Sequence, residues 1–307
     1  MIVWSTADFY GASELIGTRR SSFSSFPKVS WTHGCIFGTN PEWPIFLSKH
    51  EMRFKKHLVT NKYQRDALSF LNLDVHAVGL PFAYAHRRFF RDVPRDIKRL
   101  YVPSHSIANQ NIALDIENML KVAHCHGCSD VLLNQVDYCR LTKNSSSPAT
   151  QINDHVKFIK GADIRDSHCL ERMVNIFQST RSIITDAIGS HLYYATLCGC
   201  DVHLVDVKRP SLKSYERTLM RMSSPWREAF EAYFRAYVYG KEIIDQVSCF
   251  IDQSRDVAMQ QAHEMIGIDC LVSDEIIRRM GSESSFSSQI FIDTYLIMRK
   301  LRMVNDY

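Results

Sequence analysis

The residues with the greatest chemical reach in this sequence stand where apolar runs give way to turns. His33 closes the run "KVSWTHG", and Asp8 and Glu14 follow the opening run "MIVWST". An imidazole and two carboxylates beyond the carboxyl ends of strands would meet at one edge of a sheet. That is where open α/β sheets hold their ligands. Such groups do general acid–base work, and an unperturbed imidazole titrates near pH 6.5. They are the catalytic candidates; the competing reading of His33 is a structural hydrogen-bonding residue. Farther on, Ser104 and His105 in "VPSHS", Lys160 in "FIKGAD", and Gly189, Ser190 and His191 in "DAIGSH" end apolar runs in the same way. Hydroxyls, an ammonium group and the amides of a helix start suit phosphate oxygens. Ser190 alone also reads as an ordinary N-cap. An N-cap does not account for Ser104 and Lys160, and phosphate binding is the favoured reading.

Positioning these groups requires strands that end at one edge. "KVSWTHG", "KHLVTN" and "DVHAVGLP" read as buried strands, with "KYQRDALSFLNL" a helix between the last two. Strand–helix–strand order predicts a parallel α/β sheet. A second series follows: strand "RLYVPS", helix "NIALDIENMLKVAHCHG", strand "DVLLNQVD", strand "HVKFIKG", helix "DSHCLERMVNIFQS", strand "SIITD", helix "SHLYYATLC" and strand "DVHLVD". The Arg-rich segment between Arg87 and Arg99 reads as a linker or surface stretch between the two series. From about Ser211 the sequence is largely helical, with an apolar stripe from Leu219 to Tyr237. The expected architecture is α/β, with two Rossmann-like domains and a helical C-terminal tail.

Composition narrows the class. The chain has 307 residues, 45% hydrophobic and 23% charged, with a net charge of +4. These are ordinary globular values, and the mild basicity fits anionic ligands or a membrane surface without demanding nucleic acid. No run of about 18 apolar residues occurs, and "MIVWSTADFYG" lacks the pattern of a signal peptide. A cytoplasmic protein is expected, with its nine cysteines reduced. "CHGC" at 125–128 has zinc-site spacing, but no second ligand pair follows, and no metal is expected. Neither the dinucleotide glycine fingerprint nor the P-loop is present, and the zincin and α/β-hydrolase motifs are missing as well.

The order of the segments resembles GT-B glycosyltransferases of bacterial capsule and lipopolysaccharide assembly, of the sialyltransferase-like or Kdo-transferase-like group. "LYVPSHS", "VLLNQVDY", "HVKFIKGAD" and "SIITDAIGSHLYYATLCGCDVHLVD" resemble their donor domain; "WTHG" and "HLVTNKYQRDALSFLNLDVHAVGLPFAY" resemble the acceptor domain. "FIKGAD" stands where those enzymes carry a His-Pro pair. The resemblance implies an acceptor domain over residues 1–97, a donor domain over 98–210, and helices over 211–307 packing on both. It implies metal-independent transfer of a sugar from a nucleotide-sugar, a CMP-sugar among the candidates, to a glycan or lipid-linked acceptor. His33, Asp8 or Glu14 would act in catalysis. Ser104, His105, Lys160, Gly189, Ser190 and His191 would bind the donor. No cofactor is implied, since the nucleotide-sugar is a substrate. By its own charge, the Arg87–Arg99 segment reads as a peripheral contact with an anionic membrane, as a site for an acidic acceptor, or as a solvated charged face. Two alternatives stand beside this reading: a sugar-nucleotide 2-epimerase or polyol-phosphate transferase on the same fold, and a non-catalytic glycan-binding partner.

Overall fold

A computed structural model describes residues 6–16, 29–35, 56–69, 73–103, 116–143, 156–205 and 241–282. Two parallel sheets carry the chain. The first has strands β1 (Val29–Trp31), β2 (Lys56–Val59) and β3 (Asp74–Ala77) in the order β1-β2-β3. Trp31 pairs with Leu58, and Leu58 with His76. Helix α2 (Lys62–Ser69) makes the crossover from β2 to β3. Val29, Trp31, Leu58 and Val59 are buried, as the apolar content of these short strands requires. The Trp31 indole N–H donates to the Gly79 carbonyl at 2.9 Å, so the largest side chain of this core keeps its polar atom satisfied.

The second sheet has strands β4 (Ile97–Val102), β5 (Asp130–Leu133), β6 (Lys157–Lys160), β7 (Thr180–Thr185) and β8 (Asp201–Leu204). Their spatial order is β6-β5-β4-β7-β8, all parallel. The chain therefore winds outward from β4 to one side, then returns to β7 and winds to the other. The carboxyl ends of β4 and β7, where Val102 pairs with Thr185, form the switch point of a doubly wound sheet. Helices α4 (Ile116–Cys125), α5 (Gln135–Lys143), α6 (Cys169–Gln178) and α7 (His191–Leu197) follow the strands β4, β5, β6 and β7 in turn. In α6 the buried Cys169, Leu170, Met173, Val174 and Phe177 recur at helical spacing and define its inner face. In α7 every residue from Leu192 to Leu197 is buried, because that helix is covered on both sides.

Two helices depart from the sequence reading. Helix α3 (Pro81–Phe89) takes in the first residues of the Arg87–Arg99 stretch, and β4 already begins at Ile97. Pro81 occupies the first turn, where its fixed φ and missing N–H fit a helix start. The run "DVLLNQVD" is not one strand: it breaks at Asn134, where α5 begins. The Asn134 side-chain oxygen Oδ1 accepts the Asp137 backbone N–H at 3.0 Å, and its Nδ2 donates to the Asp137 carboxylate at 2.8 Å. This reciprocal cap ends the strand. Of the expected first strand over residues 1–6, Thr6 belongs to the turn Thr6–Gly11 and the rest lies outside the described residues, as does the stripe from Leu219 to Tyr237.

One apolar core runs through both sheets, joining Trp31 and Leu58 to Leu100, Ile183 and Leu192. Phe82 of α3 stacks on Tyr194 of α7, with ring centroids 3.9 Å apart and planes 6° from parallel. The C-terminal helices α8 (Lys241–Asp252), α9 (Arg255–Ile266) and α10 (Asp274–Ser282) complete the layer. Helix α9 packs on α7. The carbonyl of its last residue, Ile266, accepts the Leu80 amide at 2.9 Å. Gly267 follows with φ of 76°, and a Cβ there would run into the Thr60 carbonyl and the Gly79 backbone. Only glycine supplies both the left-handed turn and this approach. No helix among the described residues is long and apolar enough to cross a membrane.

Candidate active site

The loop after β1 meets the start of α7. The Cys35 amide donates to the Ser190 hydroxyl oxygen at 2.8 Å, and the Tyr194 hydroxyl donates to the His33 carbonyl at 3.3 Å. His33 and the Gly189–His191 triplet, 156 residues apart at their nearest in sequence, thus belong to one crevice between the sheets. The closeness depends on Gly34, where a Cβ would lie 2.9 Å from the Ser190 hydroxyl oxygen. The His33 ring is held by aromatic neighbours. Its centroid lies 5.2 Å from Phe9 in an edge-on arrangement and 5.7 Å from Tyr10.

Ser190 is not a side-chain N-cap. Its backbone is already helical, at φ −58° and ψ −24°, and its hydroxyl makes no capping bond. A capping residue needs an extended backbone to turn its oxygen back onto the first amides. The Ser190 oxygen instead serves the loop after β1, and its hydroxyl is shared with the Cys35 thiol and the Tyr194 phenol.

His191 closes the crevice floor. Its Nε2 lies 3.0 Å from the Thr185 hydroxyl. The Thr185 oxygen also lies 2.7 Å from the Val102 carbonyl and accepts the Ala187 amide at 3.1 Å. One hydroxyl therefore ties the ends of β4 and β7 together and orients the imidazole. Asp186, next in the chain, is only 1% exposed, and its carboxylate faces the Tyr101 hydroxyl on β4. Burial, and then the Asp186 charge, push the Tyr101 phenol well above its ordinary pKa.

Burial also keeps the other acidic protons of the crevice in place. It pushes the Cys35 thiol up to about 12, against a smaller opposing effect of the Ser190 hydrogen bond. Tyr10 rises to about 12, chiefly by burial and further by Cys169 and Asp163, and Tyr194 is raised well above 10, again by burial first. A thiol and two phenols around Ser190 thus stay neutral at physiological pH, and none of them is a ready proton acceptor.

The remaining candidates separate. Lys160 does end β6, but β6 is the sheet edge, two strand spacings or about 10 Å from β4. Its ammonium is 3.3 Å from the Asp163 carboxylate and 3.6 Å from that of Asp166. Asp166 also pairs with Arg172 at 2.5 Å, and Arg172 donates to the Gly161 carbonyl at 3.0 Å. Burial works against the Asp166 charge, but the His168 amide and Arg172 outweigh it and hold the carboxyl below its ordinary value. This network braces the loop after β6. The Tyr10 amide donates to Ile164 of that loop at 3.1 Å, and Gly11 sits so close to the Ser167 backbone that a Cβ has no room. Lys160 therefore supports the wall behind Tyr10 through its pairs with Asp163 and Asp166. Glu14 stands on the short helix α1 (Ala12–Leu15). Asp8 falls in the preceding turn, Thr6–Gly11, and its side chain lies outside the described residues. Ser104 and His105 also lie outside them; the chain leading to them leaves the sheet at the switch point, after Val102.

Several arginines of the 87–99 segment act inside the molecule. Arg95 donates to the Thr180 and Cys198 carbonyls at 2.6 and 2.8 Å, and Arg99 to the His126 carbonyl at 2.9 Å. All nine cysteines are free thiols. Cys128 of the "CHGC" pair is buried, with its thiol raised to about 11 by burial first. Among the described residues no group of three or more His, Cys, Asp or Glu is placed to hold a metal ion.

Sequence reasoning missed Thr185, Asp186, Cys35 and Tyr194. The dipeptide Thr185-Asp186 at the end of a buried strand carried the one available signal, polar residues at a strand terminus. Nothing in the sequence marked Cys35 or Tyr194. Comparison with protein-family models, with curated proteins and with solved structures gives no match.

Proposed function

We propose that the protein is a GT-B-type glycosyltransferase that moves a sugar from a nucleotide-sugar to a glycan or glycolipid acceptor. The observation that carries this reading is the contact between the Cys35 amide and Ser190. It sets the end of a strand in one parallel sheet against the switch point of a second parallel sheet. In this reading a nucleotide phosphate at that switch point lies on the side of the crevice that carries His33.

In this reading the acceptor hydroxyl attacks the anomeric carbon of the donor. The bond from that carbon to the phosphate oxygen breaks, and its electron pair leaves with the nucleotide. His33 takes the acceptor proton, the work for which imidazole is suited. The Ser190 O–H, and the Nδ1–H of His191 as an imidazolium whose Nε2–H is given to Thr185, meet the negative charge that develops on the leaving phosphate. The sheet order supports the donor side, because nucleotides bind outside the carboxyl ends of strands at such switch points.

A thermal-shift screen of CMP, CDP, UDP and GDP, followed by a transfer assay with the sugar derivative of whichever nucleotide binds, tests the proposal. A ligand that binds only the folded state raises apparent stability. Stabilisation by one nucleotide, followed by sugar transfer to an oligosaccharide acceptor, is the expected result. Turnover of the nucleotide-sugar with no acceptor would identify an epimerase instead. No stabilisation by any nucleotide would sink the enzyme reading and leave a glycan-binding partner.

A further inference from the structure

A groove of about 420 Å³ lies where α1, α3 and α10 meet. Leu15, Ile16 and Tyr84 supply its apolar and aromatic lining; Arg87, Arg88, Arg278 and Asp274 supply its charge. No residue of the crevice around Ser190 lines it. Three guanidiniums against one carboxylate leave it a net charge of +2.

Each guanidinium offers five N–H donors. Among the described residues, Arg87 reaches the Asp274 carboxylate at 3.4 Å, Arg88 donates to the Leu15 carbonyl at 2.7 Å, and Arg278 donates to the Asp274 carbonyl at 3.2 Å. Among the described residues most of this donor capacity has no protein acceptor. The forks are also pre-oriented. The Arg87 guanidinium lies over the Tyr84 ring at 5.1 Å, and that of Arg88 over Phe89 at 5.5 Å. The Tyr84 ring is itself fixed, because its hydroxyl donates to the Val78 carbonyl at 2.7 Å and accepts the Val272 amide at 3.1 Å.

The last turn of α3 accounts for Arg87 and Arg88 by themselves, since cations are favourable at a helix carboxyl end. It does not account for Arg278, which arrives from a different helix. Three cations converging on one groove repel each other unless an anion offsets them. The groove volume falls in the range of small-molecule sites.

We propose that this groove binds a phosphate monoester, whose charge of about −1.5 to −2 matches that of the groove and whose oxygens fit guanidinium forks. Leu15, Ile16 and Tyr84, all buried, form the floor beneath the guanidiniums, and the organic part of the ester extends outward from the phosphate. The ester is either a soluble phosphate or the phosphomonoester headgroup of a lipid. The full-length protein is titrated with glycerol 3-phosphate by calorimetry, and separately sedimented with phosphatidylcholine vesicles with and without phosphatidic acid. Arg278→Gln, on an exposed position of α10, should weaken binding about tenfold, the loss of one charge-assisted hydrogen bond. Asp274→Asn removes the competing carboxylate and should tighten binding; a purely structural role for Asp274 would give no such gain. That pattern with glycerol 3-phosphate identifies a soluble ester, and the same pattern only with phosphatidic acid vesicles identifies a lipid headgroup. Absence of binding to both probes, or equal binding by the parent, Arg278→Gln and Asp274→Asn, would overturn the proposal.

Discussion

The Ser190 hydroxyl oxygen accepts the Cys35 backbone N–H at 2.8 Å, across 155 residues of sequence. A side chain at the start of a helix in one sheet layer thereby anchors the strand-end loop of the other. The bond is part-buried, so its loss leaves the Cys35 amide without that acceptor in a site with little water.

Ser190→Ala should therefore do two things. It should lower folding stability by about 1–3 kcal/mol, the cost of stranding a buried donor. It should also weaken nucleotide binding, with the fold retained by circular dichroism. Urea denaturation and nucleotide titration on the same sample separate the effects. Unchanged stability would mean that the loop after β1 is held by other contacts. Unchanged nucleotide binding would remove Ser190 from the donor site.

His33→Ala should reduce transfer by about 10²–10⁴-fold, the range for a lost general base, while nucleotide binding stays close to the parent value. Because Phe9 and Tyr10 pack against the ring, His33→Phe keeps the packing and removes the base. Equal loss of activity in both variants supports base catalysis. Activity retained in His33→Phe would make the ring a packing element, and Asp8→Ala then becomes the informative variant.

Gly267→Ala should be among the most damaging single-methyl changes outside the crevice. The backbone there has a φ of 76°, and the new Cβ would meet the Thr60 carbonyl. A strained left-handed alanine costs on the order of 1–3 kcal/mol before any clash is counted. Because Gly267 joins α9 to the Gly79–Leu80 crossover, a lowered melting temperature is expected, with loss of protection in the amides of Gly79 and Leu80. A variant that melts with the parent would show that this junction adjusts freely.

His86 makes stability depend on pH. Burial first, and then His263, push its pKa down to about 4, against a raising effect of a hydrogen bond to the Leu197 backbone. The folded state therefore resists protonation that the unfolded state accepts from about pH 6.5 downward. Its contribution is complete above the unfolded value and is lost as pH falls through about 4. Urea midpoints at pH 7, 5.5 and 4.5 should fall in that order, with a shallower decline for His86→Gln. Parallel declines would assign the slope to other groups.

Much of the fold was legible in the residues. The short apolar runs at Val29–Trp31, Lys56–Val59, Ile97–Val102 and Thr180–Thr185 are strands because a parallel sheet covered on both faces needs little else. The cluster Cys169, Leu170, Met173, Val174 and Phe177 is helical because its spacing makes one apolar face. The start of α5 was legible too, in the Asn134–Asp137 cap, but the apolar Val136 within "LLNQVD" disguised it as more strand.

The site was legible only in part. Polar residues at strand ends identify an edge, and His33, Ser190 and His191 do meet there. Strand order, however, is not written in local sequence. It depends on which strands pair, and that pairing put β6 at the rim and Lys160 among Asp163 and Asp166. Cys35 gained a role through its backbone amide, which every non-proline residue possesses and no residue type announces. Local sequence determined which groups stand at strand ends. Long-range packing decided which of them touch, because a contact across 155 residues is selected by the fit of whole faces and not by the two residues that make it.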